Sequence, residues 1–384
     1  MRKEVYLDNS ATTKVLKEVA EEVYKAMLED YGNPSSLHNK GLTAERTLRE
    51  ARRVISKYLG VEEKEIYFTS GGTESNNIAI KGAAKTKNRK GKHIITTCVE
   101  HPSVLEVCGE LEKAGFKVTY LPVGEDGIVR VLDVVNAVKE DTVLISIMHV
   151  NNEVGSIQPV EEIAEFIKDK GIVFHVDAVQ SFGKINLPLG LKGISLLSLS
   201  AHKVYGPKGV GALFKREDLK IEPLVNGGGQ ERGLRSGTEN VPGIRGFCKA
   251  VEILEKNFSI WTEIMKNGKE RLKRGIIDLI EDVVINTPAE KSAPHILNVS
   301  FLGVKAEVLL HALENHGIFV STGSACSSHK KIKSHVLLAM GKKEEEVESA
   351  VRFSLSPFIS EDDIDYTLEI LKTQVKELRR FKRR

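Results

Sequence analysis

Val143-Leu-Ile-Ser-Ile-Met148 is an apolar run of strand length, Val160 to Lys170 carries a helical pattern, and Ile172-Val-Phe-His-Val176 is a second apolar run. Runs this continuous suit strands buried on both faces, and their alternation with a helix indicates a parallel sheet. The pattern extends both ways. Ile66-Tyr67-Phe68, His93 to Thr97 and Lys117 to Leu121 precede it, Ser195 to Leu199 and Val210 to Phe214 follow it, and Pro102 to Ala114 reads as a helix. The expectation is an α/β fold with a mostly parallel seven-stranded sheet, which binds ligands beyond the carboxyl ends of its strands. Upstream, residues 15 to 30 and 44 to 59 read as helices. Val19, Val23 and Met27 show the apolar spacing, and Gly60 closes the second helix. Near Asn257 the character changes. A long charged helix is expected to about Glu281, then strand-like runs at Ile296 to Phe301 and Ala350 to Leu355, which together read as a smaller α+β domain.

The composition of the 384 residues, 41% hydrophobic and 28% charged, excludes a disordered or collagen-like chain. Lys and Arg number 56 against 53 Asp and Glu, so overall charge gives no case for binding nucleic acid or a membrane surface. The chain has no apolar run near the roughly 20 residues that span a bilayer. Its start, MRKEVYLDNS, lacks the apolar region of a signal peptide. A soluble, cytoplasmic protein is expected. Cys98, Cys108, Cys248 and Cys326 are too scattered for a disulfide framework. Neither CxxC, HExxH nor a P-loop occurs, so no metal site is expected.

Phe68-Thr-Ser-Gly-Gly-Thr-Glu-Ser-Asn-Asn77 follows a strand and opens a helix. Gly71 and Gly72 permit a tight turn, and Thr73 then offers a hydroxyl and free N–H groups at the positive end of the helix, which suits phosphate. The segment alone serves equally as a strand-to-helix turn capped by Thr73. Downstream, Asp177 ends one strand and Lys203 lies just past another. A lysine amine can form a Schiff base with the aldehyde of pyridoxal 5′-phosphate, and an aspartate can keep its pyridine nitrogen protonated. Gln180 could bond the ring oxygen, while Ser200 and His202 could add phosphate donors. Without the cradle, Asp177 and Lys203 would read as an ion pair. His101, after Thr96-Thr-Cys-Val-Glu, is either a ring-stacking, proton-handling residue or a core histidine. Arg352 is either a carboxylate clamp or a surface cation. Cys326 lies in Ser321-Thr-Gly-Ser-Ala-Cys-Ser-Ser328, with Lys330, Lys331 and Lys333 following. Small polar neighbours and nearby cations favour an accessible, nucleophilic thiolate. The other three cysteines read as small buried hydrophobes. The basic run from Arg379 to Arg384 reads either as a solvated helix end or as a docking point for an acidic partner.

These segments, together with Tyr6-Leu-Asp-Asn-Ser-Ala-Thr-Thr13, Asn33-Pro-Ser-Ser36, His149-Val-Asn-Asn-Glu-Val-Gly155, Ser200-Ala-His-Lys203 and Arg235-Ser-Gly-Thr-Glu-Asn240, occur in an order that resembles the NifS/IscS-type cysteine desulfurases of the class V aminotransferase group. The resemblance runs to about Pro357. It implies a fold-type I enzyme dependent on pyridoxal phosphate, with a large domain at 15–256 and a small one formed by 1–14 and 257–384. It implies Lys203 as the lysine that binds the coenzyme, Asp177 on the pyridine nitrogen, Gln180 on the phenolic oxygen and His101 stacked on the ring. Gly72, Thr73, Ser200 and His202 would surround the phosphate. Asn152 would sit at the cofactor and the substrate, and Arg352 would hold the substrate carboxylate. Thr238 would reach the phosphate of a neighbouring subunit, making a homodimer. Cys326 would take sulfur from L-cysteine, leaving L-alanine, and pass it to a sulfur-acceptor protein such as an iron–sulfur scaffold. The Lys–Arg-rich end does not match the extension through which scaffold-binding members dock. A selenocysteine lyase, an ordinary aminotransferase and a non-catalytic module are the alternatives, and Cys326 favours the first reading over all three.

Overall fold

The structure is a computed structural model that describes residues 3–87, 90–187, 190, 192–322 and 333–382. The chain opens with a short strand, β1 (Val5–Tyr6). Seven strands then form one sheet: β2 (Ile66–Thr69), β3 (His93–Thr97), β4 (Lys117–Leu121), β5 (Thr142–Met148), β6 (Val173–Asp177), β7 (Leu196–Ser200) and β8 (Gly211–Lys215). Their spatial order is β2-β8-β7-β6-β5-β3-β4. Only β8 runs against its neighbours. The reason lies in the connections: β7 and β8 are joined by the short segment 201–210, whereas a parallel return needs a crossover of a dozen or more residues. The carboxyl ends of β2, β3, β5, β6 and β7 therefore share one edge, where the chain order also reverses between β3 and β5.

Five further strands complete the fold: β9 (Val283–Ile285), β10 (Ile296–Phe301), β11 (Ile318–Phe319), β12 (Ser321–Thr322) and β13 (Ala350–Ser354). An antiparallel sheet has the order β12-β13-β10-β9, and β1 pairs in parallel with β11. Val5 and Leu7 are thereby buried with Leu297, Phe301, Ile318 and Phe353 in a core separate from those on the two faces of the large sheet. Two of these strands were expected. The others are two or three residues long, below the length at which alternation can be read.

Helix boundaries depart from expectation in two places. The second helix begins at Asn39, not residue 44, because the His38 ring accepts a bond from Gly41 N–H at the first turn. The long helix expected from Asn257 begins at Val241 and runs to Leu279. Asn240 Oδ1 accepts from Gly243 N–H at 3.1 Å, and a proline stands in the first turn. Its first half packs Phe247 and Leu254 on the large sheet, and its second half packs Leu272 and Ile276 on the small one. Trp261 sits near the middle, edge-on to Tyr205 and Phe358 with ring centroids 5.3 and 5.5 Å away.

Gly211, at the start of the reversed strand, fixes how closely β8 meets the glycine turn after β2. A Cβ there would lie 2.6 Å from Leu199 O and 2.7 Å from Gly71 Cα, both backbone atoms that cannot swing away. Overpacking of this kind costs about 1–3 kcal/mol. Gly211→Ala is expected to lower the thermal midpoint measurably, while an alanine at the unobstructed Gly109 should not lower it. Thermal melts check both.

Candidate active site

The shared carboxyl edge opens on a cavity of about 650 Å3, lined from seven directions. Gly72, Thr73 and Asn76 come from the turn after β2, and His101 and Ser103 from the turn after β3. Asn152 and Glu153 follow β5, Asp177 ends β6 with Gln180 just after it, and Ser200 ends β7 with His202 and Lys203 just after it. Ser10 and Ala11 arrive from the chain start, and Ser334, His335 and Arg352 from the small sheet and its flanking helix.

The phosphate-type cradle takes the expected form. Gly71 adopts φ +152°, a value that favours glycine. A Cβ on Gly72 would meet Val179 Cγ2 at 2.6 Å, so this turn packs too closely on the segment after β6 for a larger residue to fit without a shift. Beside it, Ser200 Oγ is buried and has no hydrogen-bond partner among the described residues. A buried hydroxyl left open beside a helix N-terminus fits an anionic oxygen.

Asp177 is 6% exposed and forms the floor. Its Oδ1 accepts from Val179 N–H at 2.9 Å, and its Oδ2 from Asn76 Nδ2 at 2.7 Å. Asn76 also donates to Ser103 Oγ at 2.9 Å, which lies 2.8 Å from His101 Nδ1. His101 Nδ1 accepts from Ser103 N–H at 3.1 Å, and this assigns the ring proton to Nε2. Burial pushes the His101 pKa down, the Lys203 and His335 charges act the same way, and Asp177 opposes them. The ring is therefore neutral near pH 7. His202 is pushed down to about 4 by burial and by Lys203 and Lys208, and its Nδ1 lies 3.2 Å from Thr12 Oγ1.

Lys203 Nζ donates to Ser10 O and, at 2.7 Å, to Ala11 O. Gln180 Nε2 donates to the same Ser10 O at 2.9 Å. Arg352 is 5% exposed. It donates through Nη1 to Asn152 O at 2.9 Å and through Nη2 to Asp8 Oδ1 at 2.7 Å, so each terminal nitrogen keeps a second N–H, while Nε is buried without a partner among the described residues.

The structure thus gathers Gly72, Thr73, His101, Asn152, Asp177, Gln180, Ser200, His202, Lys203 and Arg352 around one cavity. Thr238 is not among them. It is exposed on the loop before the long helix. Cys326 lies outside the described residues. Cys98, Cys108 and Cys248 are free, and burial pushes Cys108 and Cys248 up to about 12. Asn76, Ser103, Glu153 and His335 had no place in the sequence reading. Asn76 had a signal, since it lies three residues past Thr73 on the same helix face. Among the described residues, no cluster of His, Cys, Asp and Glu could hold a metal, and no helix is long and apolar enough to cross a membrane.

An anion cradle, a buried carboxylate and a lysine at the carboxyl edge of a mostly parallel sheet define an α/β enzyme for a small anionic coenzyme. The chain belongs to the aminotransferase class-V family, whose profile matches residues 5–367. A "Cysteine desulfurase IscS" of Clostridium botulinum is 48% identical over 381 residues, 99% of this chain and 96% of that protein. A solved "NifS-like protein" superposes with a TM-score of 0.92 at 42% identity, covering 98% of this chain and all of the other. Another, "SspA in complex with cysteine", gives 0.81 at 36% identity, over 93% of this chain and all of the other.

Glu100, next to His101, yields a pH prediction. Its carboxyl is fully buried and accepts from Thr97 Oγ1 at 2.7 Å and Met148 N–H at 2.9 Å. Burial, with Asp177's charge adding, pushes it up to about 8 against the pull of those bonds. The folded chain keeps a proton that the unfolded chain releases in the ordinary carboxylate range of about 4.3. Folding stability from this residue is therefore lost as pH rises from about 5 to about 8. Glu100→Gln is expected to flatten that decline, as read from denaturant midpoints at pH 5 and pH 8.

Proposed function

We propose that this protein is a cysteine desulfurase dependent on pyridoxal 5′-phosphate, which takes sulfur from L-cysteine, releases L-alanine and carries the sulfur as a persulfide on Cys326. The observation that carries this reading is the convergence of Lys203, Asp177, His101 and the Gly72–Thr73–Ser200 cradle on one cavity. The relatives that bear this name match the chain over nearly its full length. The two-unit division at residues 15–256 and at 1–14 with 257–384 belongs to the same proposal.

When bound, the coenzyme supplies an electron sink for the bonds around the amino-acid α-carbon. Gly72, Thr73, Ser200 and His202 would hold its phosphate, Lys203 its aldehyde carbon, Asp177 its ring nitrogen and Gln180 its ring oxygen. Neutral His101 would lie against the ring, with its Nε2–H available for proton delivery, and the Lys203 amine would move the α-proton. Asn152 and the unused N–H groups of Arg352 orient the substrate, the arginine through its carboxylate. The Cys326 thiolate then attacks the substrate sulfur. A C–S bond breaks as an S–S bond forms, so cysteine plus enzyme thiol becomes alanine plus enzyme persulfide with no external oxidant. Thr238, exposed and apart from its own cavity, suits a homodimer in which it reaches the phosphate held by a second copy. A sulfur-acceptor protein, such as an iron–sulfur scaffold, then receives the sulfur.

Cys326→Ser is expected to keep the coenzyme's absorbance and its change on adding L-cysteine, but to form neither persulfide nor alanine in turnover. Alanine release at the wild-type rate would overturn the reading. Arg352→Lys exchanges a fork for a point charge. It is expected to raise KM for L-cysteine by about tenfold, the equivalent of ~1.4 kcal/mol, with a smaller effect on kcat, as read by steady-state alanine assay.

A further inference from the structure

We infer that Arg235 is a positioning residue for the phosphate cradle: through Glu74 it cancels a negative charge beside the coenzyme phosphate, and so sets how tightly that phosphate is held. This rests on the desulfurase reading above for the identity of the anion. Glu74 is in the first turn of the helix Gly72–Lys87, one position past Thr73. Its carboxylate folds back on the glycine turn, where Oε2 accepts from Ser70 N–H. An acid in the first turn suits the positive end of a helix. Here the same end is to receive a phosphate, so two anions draw on one patch of positive potential and repel each other. Arg235 relieves that conflict. Its Nε donates to Glu74 Oε1 at 3.2 Å, and this is the one ion pair of Glu74 among the described residues. The side chains are 25% and 18% exposed, so salt and water screen the pair less than one on the open surface. Arg235 does not line the cavity, so its effect on a ligand passes through Glu74.

The segment that bears Arg235 is anchored by other residues. Glu231 and Arg232 both adopt left-handed backbone, at φ +48° and +54°, and send their side chains to β2, the edge strand of the large sheet. Glu231 accepts from Phe68 N–H at 2.9 Å and from Arg52 at 2.5 and 2.8 Å, and Arg232 donates to Lys64 O. The charge of Glu231 is thus met by Arg52, and the segment has its own hold on β2. What Arg235 adds is a charge, delivered to Glu74 from a base already fixed, which limits the side-chain order that must be gained. The cradle has reason to need it. It is built of N–H groups and the Thr73 and Ser200 hydroxyls, and its imidazole, His202, is pushed down to about 4 and is neutral near pH 7. A cradle made of dipoles is sensitive to an unpaired carboxylate in its own first turn.

The test titrates the full-length chain, freed of coenzyme and in phosphate-free buffer, with pyridoxal 5′-phosphate and separately with pyridoxal, which keeps the aldehyde and lacks the phosphate. Absorbance reads both. Arg235→Met is expected to weaken binding of pyridoxal 5′-phosphate by about tenfold and to leave that of pyridoxal within about twofold of wild type. Adding Glu74→Gln to Arg235→Met removes the unpaired charge and keeps an acceptor for Ser70 N–H. The double variant should recover the coenzyme's affinity to within about threefold. A turn that had merely loosened would weaken both ligands and would not be mended by the second change. If Arg235→Met does not fold, Arg235→Gln, which keeps a donor to Glu74 and loses the charge, must show the same split. Unchanged affinity for pyridoxal 5′-phosphate, equal losses for the two ligands, or a double variant no tighter than Arg235→Met overturns the inference. A wild-type chain that binds neither ligand at Lys203 overturns the desulfurase reading itself, and the inference with it.

Discussion

The main-chain oxygen of Ser10 receives two side-chain donors, Lys203 and Gln180, and the Ala11 oxygen receives Lys203 as well. On its other side, the same strap is tied to the small sheet. Asn9 Nδ2 donates to Ser354 O at 2.8 Å, and Ser10 N–H donates to Ser354 Oγ at 2.8 Å. Thr13 N–H then bonds His202 O at 2.9 Å, and Tyr205 N–H bonds Thr13 Oγ1 at 2.8 Å, so the strap also grips the turn that bears the lysine. The seven-stranded sheet alone would present Lys203 on an open edge. An amine in a half-buried place needs acceptors, and bonds to charged donors contribute about 1.5–3 kcal/mol each. The chain start supplies those acceptors as it passes from one core to the other. The position of the Lys203 amine therefore depends on both cores being folded and on Val5 and Leu7 being seated between the strands of the small one.

The parts of this arrangement that were legible in the sequence are those with a local signature. β-rich runs marked the seven strands, and β5 and β6 were the clearest, because strands buried on both faces have no polar alternation to obscure them. Gly71-Gly72-Thr73 suited a cradle or a plain capped turn equally, and the acid and lysine downstream tipped the reading toward the cradle. Lys203, Asp177, His101 and Arg352 were identified by chemistry in order along the chain, and folding brings them together. What stayed hidden was set by contacts distant in sequence. Asn76 links Asp177 to Ser103 only once β2 and β6 are in one sheet. Glu153 meets Ser334 across 181 residues. The start of the long helix was a different kind of miss: Asn240 and Pro242 announce it locally, but the shift to high charge near Asn257 drew attention to its exposed second half. His175 shows the converse. It sits two residues before Asp177, yet it is sealed in the sheet between Ser146 and Ser198 and takes no part in the cavity.

Burial gives the cavity its electrostatic character. His149 and His202 are pushed down to about 4, and His101 and His295 are lowered as well, each chiefly by loss of water. Glu100 and Glu153 move the opposite way for the same reason. Near neutral pH the imidazoles therefore add no charge, and the two buried carboxyls are drawn toward their neutral forms. Among the charged groups that line the space are Asp177 and Glu106 on the acidic side and Lys203, Lys333 and Arg352 on the basic side. Such a cavity attracts anionic groups at two separate points, the glycine cradle and the arginine, and offers one carboxylate to a protonated ring nitrogen between them. A phosphorylated coenzyme and a zwitterionic amino acid can both be held without competing for the same cation. Neutral His101, with its Nδ1 fixed by the Ser103 N–H, can lie flat on a cationic ring without repelling it. Under the proposed function, protonated histidines here would add positive charge and oppose protonation of the coenzyme's ring nitrogen. Dryness of this wall would then serve that chemistry, as well as follow from how the cores close around it.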